Sequence, residues 1–274
     1  MNQVYIFTEQ GEYEISWFVY DEAGNEGRFT LIIEVTASDP NPSYSGYYAT
    51  LDGLDDEELI DALYVLLNDI SPVSTTYGDS RYIMEESDVW VGLNTDYMYL
   101  IYSDTLRGSS GNGFPLDGYG IPTWEGSSTT WNREHVWAKS LIGNGGYDPN
   151  NNTRGVDADM HNLRAADTNV NSTRNNFKFT NLITHVDGFG LYNSMWYPGD
   201  NHRGDVARII FYMDIRWGNL TDITKIGFLD TFIAWHLADP VDAFELHRNE
   251  VIYGYQGNRN PFIDHPELVQ RIYN

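Results

Sequence analysis

Residues 131–137 read WNREHVW, and this stretch, with two polar segments that follow it, carries the most informative pattern of the chain. The two segments are DADMHNLR at 157–164 and NVNSTRNNF at 169–177. Glu134 and His135 are neighbours in a strand-like run, so their side chains point to opposite sides of the backbone. They cannot bind one ion as two ligands on the same face would. We predict a division of labour in which the carboxylate meets a metal ion and the imidazole meets a water.

Residues 169–176 predict a short polar helix that brings the amide oxygen of Asn171 to the same ion. The chain contains no cysteine, which excludes a disulfide scaffold and a zinc site built on thiolates. Oxygen ligands without cysteine suit the hard cations Mg²⁺ or Ca²⁺ rather than zinc.

Two other interpretations of these residues carry weight. A Glu-His pair by itself is more often a surface ion pair than a functional site. Residues 148–152 (DPNNN) resemble half of a calcium-binding loop. However, Thr153 stands where an EF-hand needs glycine, and Asp159 stands where it needs glutamate, so we exclude an EF-hand. Weak calcium binding by this loop stays a minor alternative.

The charge of the chain argues against a nucleic-acid partner, because such binding depends largely on neutralisation of phosphates by Lys and Arg. The 274 residues carry 16 Lys and Arg against 40 Asp and Glu, for a net charge of −24. Residues 133–178, however, hold six basic and five acidic side chains. The acidity therefore belongs to the remainder of the chain, and we predict weak, salt-sensitive substrate binding that relies on a metal and a few arginines. No apolar run is long enough to span a membrane.

The chain begins with a predicted β-hairpin. Apolar residues recur at every second position over 13–19 and again over 29–35, and a turn-rich stretch at 21–27 separates the two runs. Both faces are rather apolar, which predicts a sheet buried on two sides. Residues 1–36 resemble the last two strands of a bacterial immunoglobulin-like repeat. An equally good alternative is a hairpin that packs on the following domain as an extra sheet.

Residues 37–48 form a linker by composition, and 49–274 form the second domain. Helices are predicted at 54–70, 204–219, 225–237 and 240–254. Asp239 and Pro240 would be the N-cap and first residue of the last helix. A second hairpin is predicted at 88–102. Because strands and helices do not alternate regularly, the predicted fold class is α+β with several packed helices.

Three ordered motifs resemble the bacterial endonuclease I family. They are REHVW at 133–137, DMHNLR at 159–164 and VNSTR at 170–174. The resemblance continues through 204–213, ends at QGNRNPFID (256–264) and covers about residues 45–274. This family consists of periplasmic and extracellular non-specific nucleases with a ββα-metal, or His-Me finger, site. Four positions depart from its common pattern without removing a catalytic group: Ala138, Asn162, Ala165 and Asn175.

The resemblance implies that His135 is the general base. It implies further that Glu134 and Asn171 hold one divalent ion, Mg²⁺ with Ca²⁺ or Mn²⁺ as substitutes, and that Asp157 acts through metal-bound water. His161 would brace the strand behind the site.

Arg154 stands at a suitable spacing for the arginine that steadies the cleaved phosphate. Arg174 is the alternative, and a salt bridge to Asp167 is an equally credible role for it. The residues expected to bind substrate are Arg133, Arg164 and Lys178.

The implied function is a metal-dependent endonuclease without sequence preference that cuts DNA, RNA or both and leaves 5′-phosphate and 3′-hydroxyl ends. The resemblance also implies a secreted or cell-surface protein with a monomeric catalytic domain. This chain would be part of a longer protein that carries further domains. The start of the chain has no secretory signal. The rival hypothesis is a non-catalytic secreted binding module stabilised by calcium. The presence of Glu134, His135 and Asn171 together separates the two hypotheses, because a binding module does not need these three residues.

Overall fold

The structure is a computed structural model that describes residues 11–20, 25–35, 42–69, 75–89, 98–102, 131–143, 148–181 and 188–273. The strands are β1 (Gly11–Tyr20), β2 (Glu26–Val35), β3 (Trp131–His135), β4 (Leu163–Asp167), β5 (Lys178–Phe179), β6 (Gly190–Tyr192) and β7 (Met195–Tyr197). The helices are α1 (Asp56–Asn68), α2 (Ser80–Ser87), α3 (Thr168–Arg174), α4 (Arg203–Trp217), α5 (Ile223–Ile226), α6 (Leu229–Ala238), α7 (Ala243–Gln256), α8 (Pro261–Asp264) and α9 (Leu268–Tyr273). This mixture of helices and small sheets confirms the predicted α+β class.

The predicted strand and short polar helix form a ββα unit. β3 pairs antiparallel with β4, from Trp131 opposite Asp167 to His135 opposite Leu163. α3 follows β4 directly, because the Asp167 carboxylate accepts hydrogen bonds from the backbone N–H groups of residues 169 and 170 and so caps the helix. Residues 98–102 flank β4, where Ile101 makes a parallel bridge to residue 166.

Helix α4 lies at the centre of the core and packs against α1 and α6. Twelve of its fifteen residues are buried, including three charged side chains. These charges are neutralised inside the protein: Arg208 Nη2 lies 2.5 Å from Glu245 Oε2, and Arg216 Nη1 lies 2.9 Å from Asp159 Oδ2. The helix predicted at 204–219 is therefore confirmed, and it forms the scaffold behind the ββα unit. Helix α1 likewise confirms the prediction at 54–70.

The prediction of one helix over 225–237 is wrong, because two helices, α5 and α6, meet at Gly227. A Cβ atom at Gly227 would lie 2.4 Å from Phe232 Cζ. The chain can therefore turn here only because glycine has no side chain to clash with the buried ring.

The start of the next helix was also predicted wrongly. α7 begins at Ala243, not at Pro240, because Asp242 and Glu245 form a capping box that satisfies two backbone donors. Asp239 instead follows α6, and its carboxylate accepts a hydrogen bond of 2.8 Å from the Gly204 backbone N–H.

The second predicted hairpin, at 88–102, is present only in part. Val89 and Met98 form an antiparallel bridge, but the chain after Met98 runs parallel to β4 instead of continuing the hairpin. The predicted turn at 94–96 lies outside the described residues.

The N-terminal hairpin pairs β1 with β2 over ten residue pairs. Aromatic side chains are exposed along it: Trp17 is 44% exposed, Phe18 51% and Phe29 67%. These values give no support to packing of the hairpin on the following domain. The immunoglobulin-like interpretation and the domain boundaries stay predictions, and the linker residues 37–41 lie outside the described part. Within the described ranges, no helix is long and apolar enough to cross a membrane.

Candidate active site

A cleft of about 310 Å³ opens where β3, the 3₁₀ turn after it and α3 meet. Its lining residues are Tyr77, Arg133, Glu134, His135, Ala138, Lys139, Ser140, Asn171, Asn175 and Asn176. Three of the residues singled out by their chemistry, Glu134, His135 and Asn171, therefore border the same space.

Glu134 and His135 point to opposite sides of β3, as the strand geometry predicts. Glu134 contacts Tyr102 and Arg174. The His135 ring stacks on Tyr77, with centroids 5.6 Å apart and planes inclined by 17°. Both side chains nevertheless line the same cleft, to which Glu134 brings a carboxylate and His135 an imidazole.

His135 is held in one tautomer. Its Nε2 lies 2.9 Å from the backbone carbonyl oxygen of Asp157, and a carbonyl can only accept, so Nε2 carries the hydrogen and Nδ1 keeps a lone pair. Burial lowers the pKa of His135 to about 4, although the Asp157 carbonyl opposes this shift. The ring is therefore neutral at pH 7, which is the form that accepts a proton.

Glu134 is buried, and its hydrogen bond and its ion pair with the described residues both involve one carboxylate oxygen. Tyr102 Oη donates to Glu134 Oε1 at 2.9 Å, and Arg174 Nε lies 3.3 Å from the same atom. Burial raises the pKa of Glu134 to about 7, while Arg174 and Tyr102 act in the opposite direction. A cation in the cleft would favour the ionised carboxylate.

Asn171 presents its amide oxygen to the cleft. Its Nδ2 donates to Asn132 Oδ1 at 2.6 Å, which leaves Oδ1 on the other side of the amide. Among the described residues no group of three or more His, Asp or Glu side chains could hold a metal ion. Glu134 and Asn171 therefore form a sparse, oxygen-only donor pair. Such a pair fits Mg²⁺, which is commonly held by one or two carboxylates, several waters and a substrate phosphate.

Asp157 and Arg154 are not among the residues that line the cleft. The Asp157 side chain is buried in the 3₁₀ turn Gly155–Ala158, and what it gives the site is its backbone carbonyl, which holds His135. Arg154 is exposed at the start of that turn. The structure thus does not bring the predicted Asp157 carboxylate or the Arg154 guanidinium into the cleft.

Arg174 is fully buried behind Glu134. Its Nη2 donates to the Val136 carbonyl at 2.7 Å and its Nη1 to the Asn175 carbonyl at 2.6 Å. The predicted alternative, a salt bridge to Asp167, is wrong because the Asp167 carboxylate caps α3. The burial of Arg174 also disagrees with direct contact to a cleaved phosphate, so its charge acts on Glu134.

The prediction that Arg164 binds substrate disagrees with its position. Its side chain is only 1% exposed and lies 3.1 Å from both Asp88 Oδ2 and Asp205 Oδ2. A guanidinium enclosed in this way cannot reach a phosphate in the cleft. Arg133 does line the cleft, where its guanidinium lies over the Tyr77 ring at 3.5 Å from the centroid.

Lys178 and His161 also lie away from the cleft lining. Lys178 is exposed on β5, 5.9 Å from the centre of the Phe228 ring. His161 is fully buried, and its Nε2 donates to the Asn258 carbonyl at 3.1 Å. It belongs to a polar cluster around Asp159. It therefore stabilises the core behind the ββα unit and does not contact Glu134 or Asn171.

Three functional candidates were not predicted from the sequence: Tyr77, Tyr102 and Lys139. Lys139 lines the cleft with a partly exposed side chain that is paired with the highly exposed Asp148. Its place four residues after His135 was a usable signal, since it is the next cation along the chain. The two tyrosines come from distant segments and carry no local signal.

The amino-acid sequence is similar to those of known nucleases. The endonuclease I family model matches residues 62–267. An extracellular ribonuclease from Bacillus amyloliquefaciens is 35% identical over 252 residues, which cover 85% of this chain and 80% of that protein. An extracellular ribonuclease from Bacillus subtilis (strain 168) is 36% identical over 217 residues, with 70% and 69% covered. An extracellular deoxyribonuclease from Aeromonas hydrophila is 31% identical over 117 residues, with 40% and 50% covered. The chain therefore belongs to the endonuclease I family and is a nuclease, a hydrolase that acts on nucleic acids.

Proposed function

We propose that the cleft cuts phosphodiester bonds without sequence preference and leaves 5′-phosphate and 3′-hydroxyl ends. The observation that carries this proposal is the convergence of Glu134, His135 and Asn171 on one cleft. His135 is neutral there, and its Nδ1 makes no hydrogen bond with the described residues. The calcium-stabilised, non-catalytic alternative loses its support with membership of a nuclease family.

His135 is the proposed general base. Its Nδ1 takes a proton from the attacking water, and the Asp157 carbonyl keeps the ring oriented and stabilises the charge that then forms on it. A base of this kind contributes about 10²–10⁴-fold to the rate.

Glu134 and Asn171 are the proposed ligands of one divalent cation, Mg²⁺ with Mn²⁺ or Ca²⁺ as substitutes. When bound, such a cation supplies positive charge for a phosphate oxygen and the leaving oxygen in the transition state. The buried Glu134 carboxylate and the fixed Asn171 amide support this assignment, because both direct oxygen atoms at the cleft without rearrangement.

Arg133 and Lys139 are the cations that line the cleft, and they are the proposed contacts to the phosphate backbone. Contacts to the backbone carry no sequence information, which is the reason to expect little base preference. The two ribonucleases align over 85% and 70% of the chain, whereas the Aeromonas hydrophila deoxyribonuclease aligns over 40% of it. We therefore propose RNA as the main substrate and DNA as a second one. Secretion, in the manner of the extracellular relatives, is part of the same proposal. So is a monomeric catalytic domain.

The test is digestion of RNA and plasmid DNA by the purified protein with Mg²⁺, with EDTA and as the His135→Ala variant. We expect EDTA to stop cleavage and His135→Ala to reduce it by about 10²–10⁴-fold. His247→Ala is the matched control, because this histidine lies outside the cleft lining and bonds the Glu86 carbonyl. If His135→Ala cuts as fast as the parent at equal purity, the mechanism is wrong. End-labelling before and after phosphatase treatment identifies the 5′-phosphate.

A further inference from the structure

Tyr102 lies at the point where the segment beside β4 ends. The Ile101 backbone N–H donates to the Ala165 carbonyl at 2.9 Å, and the next residue, Tyr102, turns to a φ of 64°. This left-handed conformation is uncommon for a bulky residue and is retained only where the surroundings compensate for its cost. Such positions cluster at functional sites, and the Tyr102 side chain contacts a residue of the cleft, Glu134.

The Tyr102 ring is fixed by the aromatic core. It is fully buried and meets Trp196 nearly edge-on, with centroids 5.5 Å apart, and it lies 6.4 Å from the Phe179 ring. Because the ring cannot move, the position of its hydroxyl is set by packing. That hydroxyl donates to Glu134 Oε1 at 2.9 Å.

The two oxygens of Glu134 have different surroundings. Oε1 is held by Tyr102 and by Arg174, whereas Oε2 makes no hydrogen bond or ion pair with the described residues. Oε2 is also absent from the buried polar atoms that lack a partner, so it is accessible from the cleft that Glu134 lines. Oε1 is therefore held in place by Tyr102, and Oε2 faces the cleft.

Arg174 cannot replace the tyrosine as the anchor. Its terminal nitrogens are committed to the carbonyls of Val136 and Asn175, and its Nε approaches Oε1 at 3.3 Å without hydrogen-bond geometry. Arg174 supplies charge, and the directional contact comes from Tyr102.

We propose that Tyr102 is a positioning residue whose hydroxyl locks Oε1 of Glu134 so that Oε2 faces a divalent cation. This inference rests on the metal site of the proposed function. A ligand oriented by an outer hydrogen bond loses less freedom when the ion binds, and removal of such partners commonly reduces metal affinity by about 10–100-fold.

The test is Tyr102→Phe, which removes the hydroxyl and keeps the ring that packs on Trp196. Mn²⁺ binding to protein stripped with EDTA and desalted is measured by electron paramagnetic resonance, independently of catalysis. We expect the Kd for Mn²⁺ to rise roughly tenfold. In RNA cleavage, the Mg²⁺ concentration for half-maximal rate should rise by the same factor, with the rate at saturating Mg²⁺ nearly unchanged.

Tyr48→Phe is the matched control. Tyr48 is also buried and also donates to a carboxylate, that of Asp264, but it does not line the cleft or touch Glu134. This variant should bind Mn²⁺ as the parent does, even where its thermal stability falls as much as that of Tyr102→Phe.

The inference is overturned if Tyr102→Phe binds Mn²⁺ with the Kd of the parent, or if both variants weaken binding equally. A parent that cuts RNA without any divalent ion and binds no Mn²⁺ would overturn the metal site, and this inference with it. Parent activity that depends on Mg²⁺, together with an unchanged Tyr102→Phe, would leave the proposed function intact and remove the role of Tyr102 alone.

Discussion

Glu134 and Arg164 lie directly opposite each other in the β3–β4 pair, yet no ion pair joins them. Glu134 accepts a hydrogen bond from Tyr102 and lies beside the charge of Arg174, whereas Arg164 is neutralised by Asp88 and Asp205. Arg164, the basic residue directly across from Glu134, thus stabilises the core and does not contribute to the cleft. This separation leaves the free oxygen of Glu134 to the cleft.

Replacement of Arg164 should affect stability and not substrate binding. Arg164→Met leaves the carboxylates of Asp88 and Asp205 buried with less compensation, and loss of one partner from a buried ion pair costs about 3–5 kcal/mol. We expect a reduction of this size in the free energy of unfolding, measured by urea denaturation. Lys178→Met, on the exposed strand β5, is the control and should change it by less than about 0.5 kcal/mol. An Arg164→Met variant that is as stable as the parent but has a higher KM would restore the substrate-binding role.

Replacement of Asn132 should alter the metal requirement through Asn171. Asn132 Oδ1 accepts from Asn171 Nδ2 at 2.6 Å and so fixes which end of the amide meets the cleft. In Asn132→Ala the amide keeps only its longer contact of 3.5 Å from Nδ2 to the Arg133 carbonyl. Its nitrogen can then turn towards the ion more easily, so the Mg²⁺ concentration for half-maximal RNA cleavage should rise roughly tenfold. Asn150→Ala, in the exposed loop before the 3₁₀ turn, should leave it unchanged. An unaltered Mg²⁺ dependence in Asn132→Ala would show that the amide is oriented by other means.

The ββα unit could be predicted because its signals are local. Strand alternation alone places Glu134 and His135 on opposite sides of β3, and a short polar run alone predicts α3. The Asp242 and Glu245 capping box was equally local. It was missed because Asp239 and Pro240 form a competing helix start three residues earlier in the same segment.

The burial of the arginines could not be predicted, because it depends on partners far along the chain. Arg164 pairs with Asp88, 76 residues away, and with Asp205, 41 residues away. Tyr102 reaches Glu134 across 32 residues. The six cations between 133 and 178 lie in different surroundings. Arg164 and Arg174 are enclosed, and among the described residues only Arg133 and Lys139 line the cleft with positive charge.

Lys139 should contribute to the salt dependence of substrate binding. It lines the cleft, and its exposed partner Asp148 can give way to a phosphate at little cost, since surface ion pairs contribute about 0–1 kcal/mol. For Lys139→Gln we expect a higher KM for RNA, little change in kcat, and a slope of log Kd against log salt concentration that is shallower by about 0.7. Lys225→Gln, on the exposed side of α5, is the control and should keep the slope of the parent. Equal slopes for Lys139→Gln and the parent would remove Lys139 from the phosphate contacts.

His161 should make the stability of the fold fall in acid. Burial lowers its pKa to about 3, with Asp159 opposing the shift, whereas an imidazole in the unfolded chain has a pKa of about 6.5. As the pH falls from about 6.5 towards 3, the unfolded chain binds a proton that the folded protein does not, so His161 reduces the free energy of unfolding by up to about 1.4 kcal/mol per pH unit. His161→Gln retains a donor for the Asn258 carbonyl but does not titrate. We therefore expect this variant to be less stable than the parent at pH 7 and to lose stability more slowly between pH 6 and pH 4, as measured by urea denaturation across that range. Parallel decline of the two proteins would mean that His161 becomes protonated without unfolding of the core.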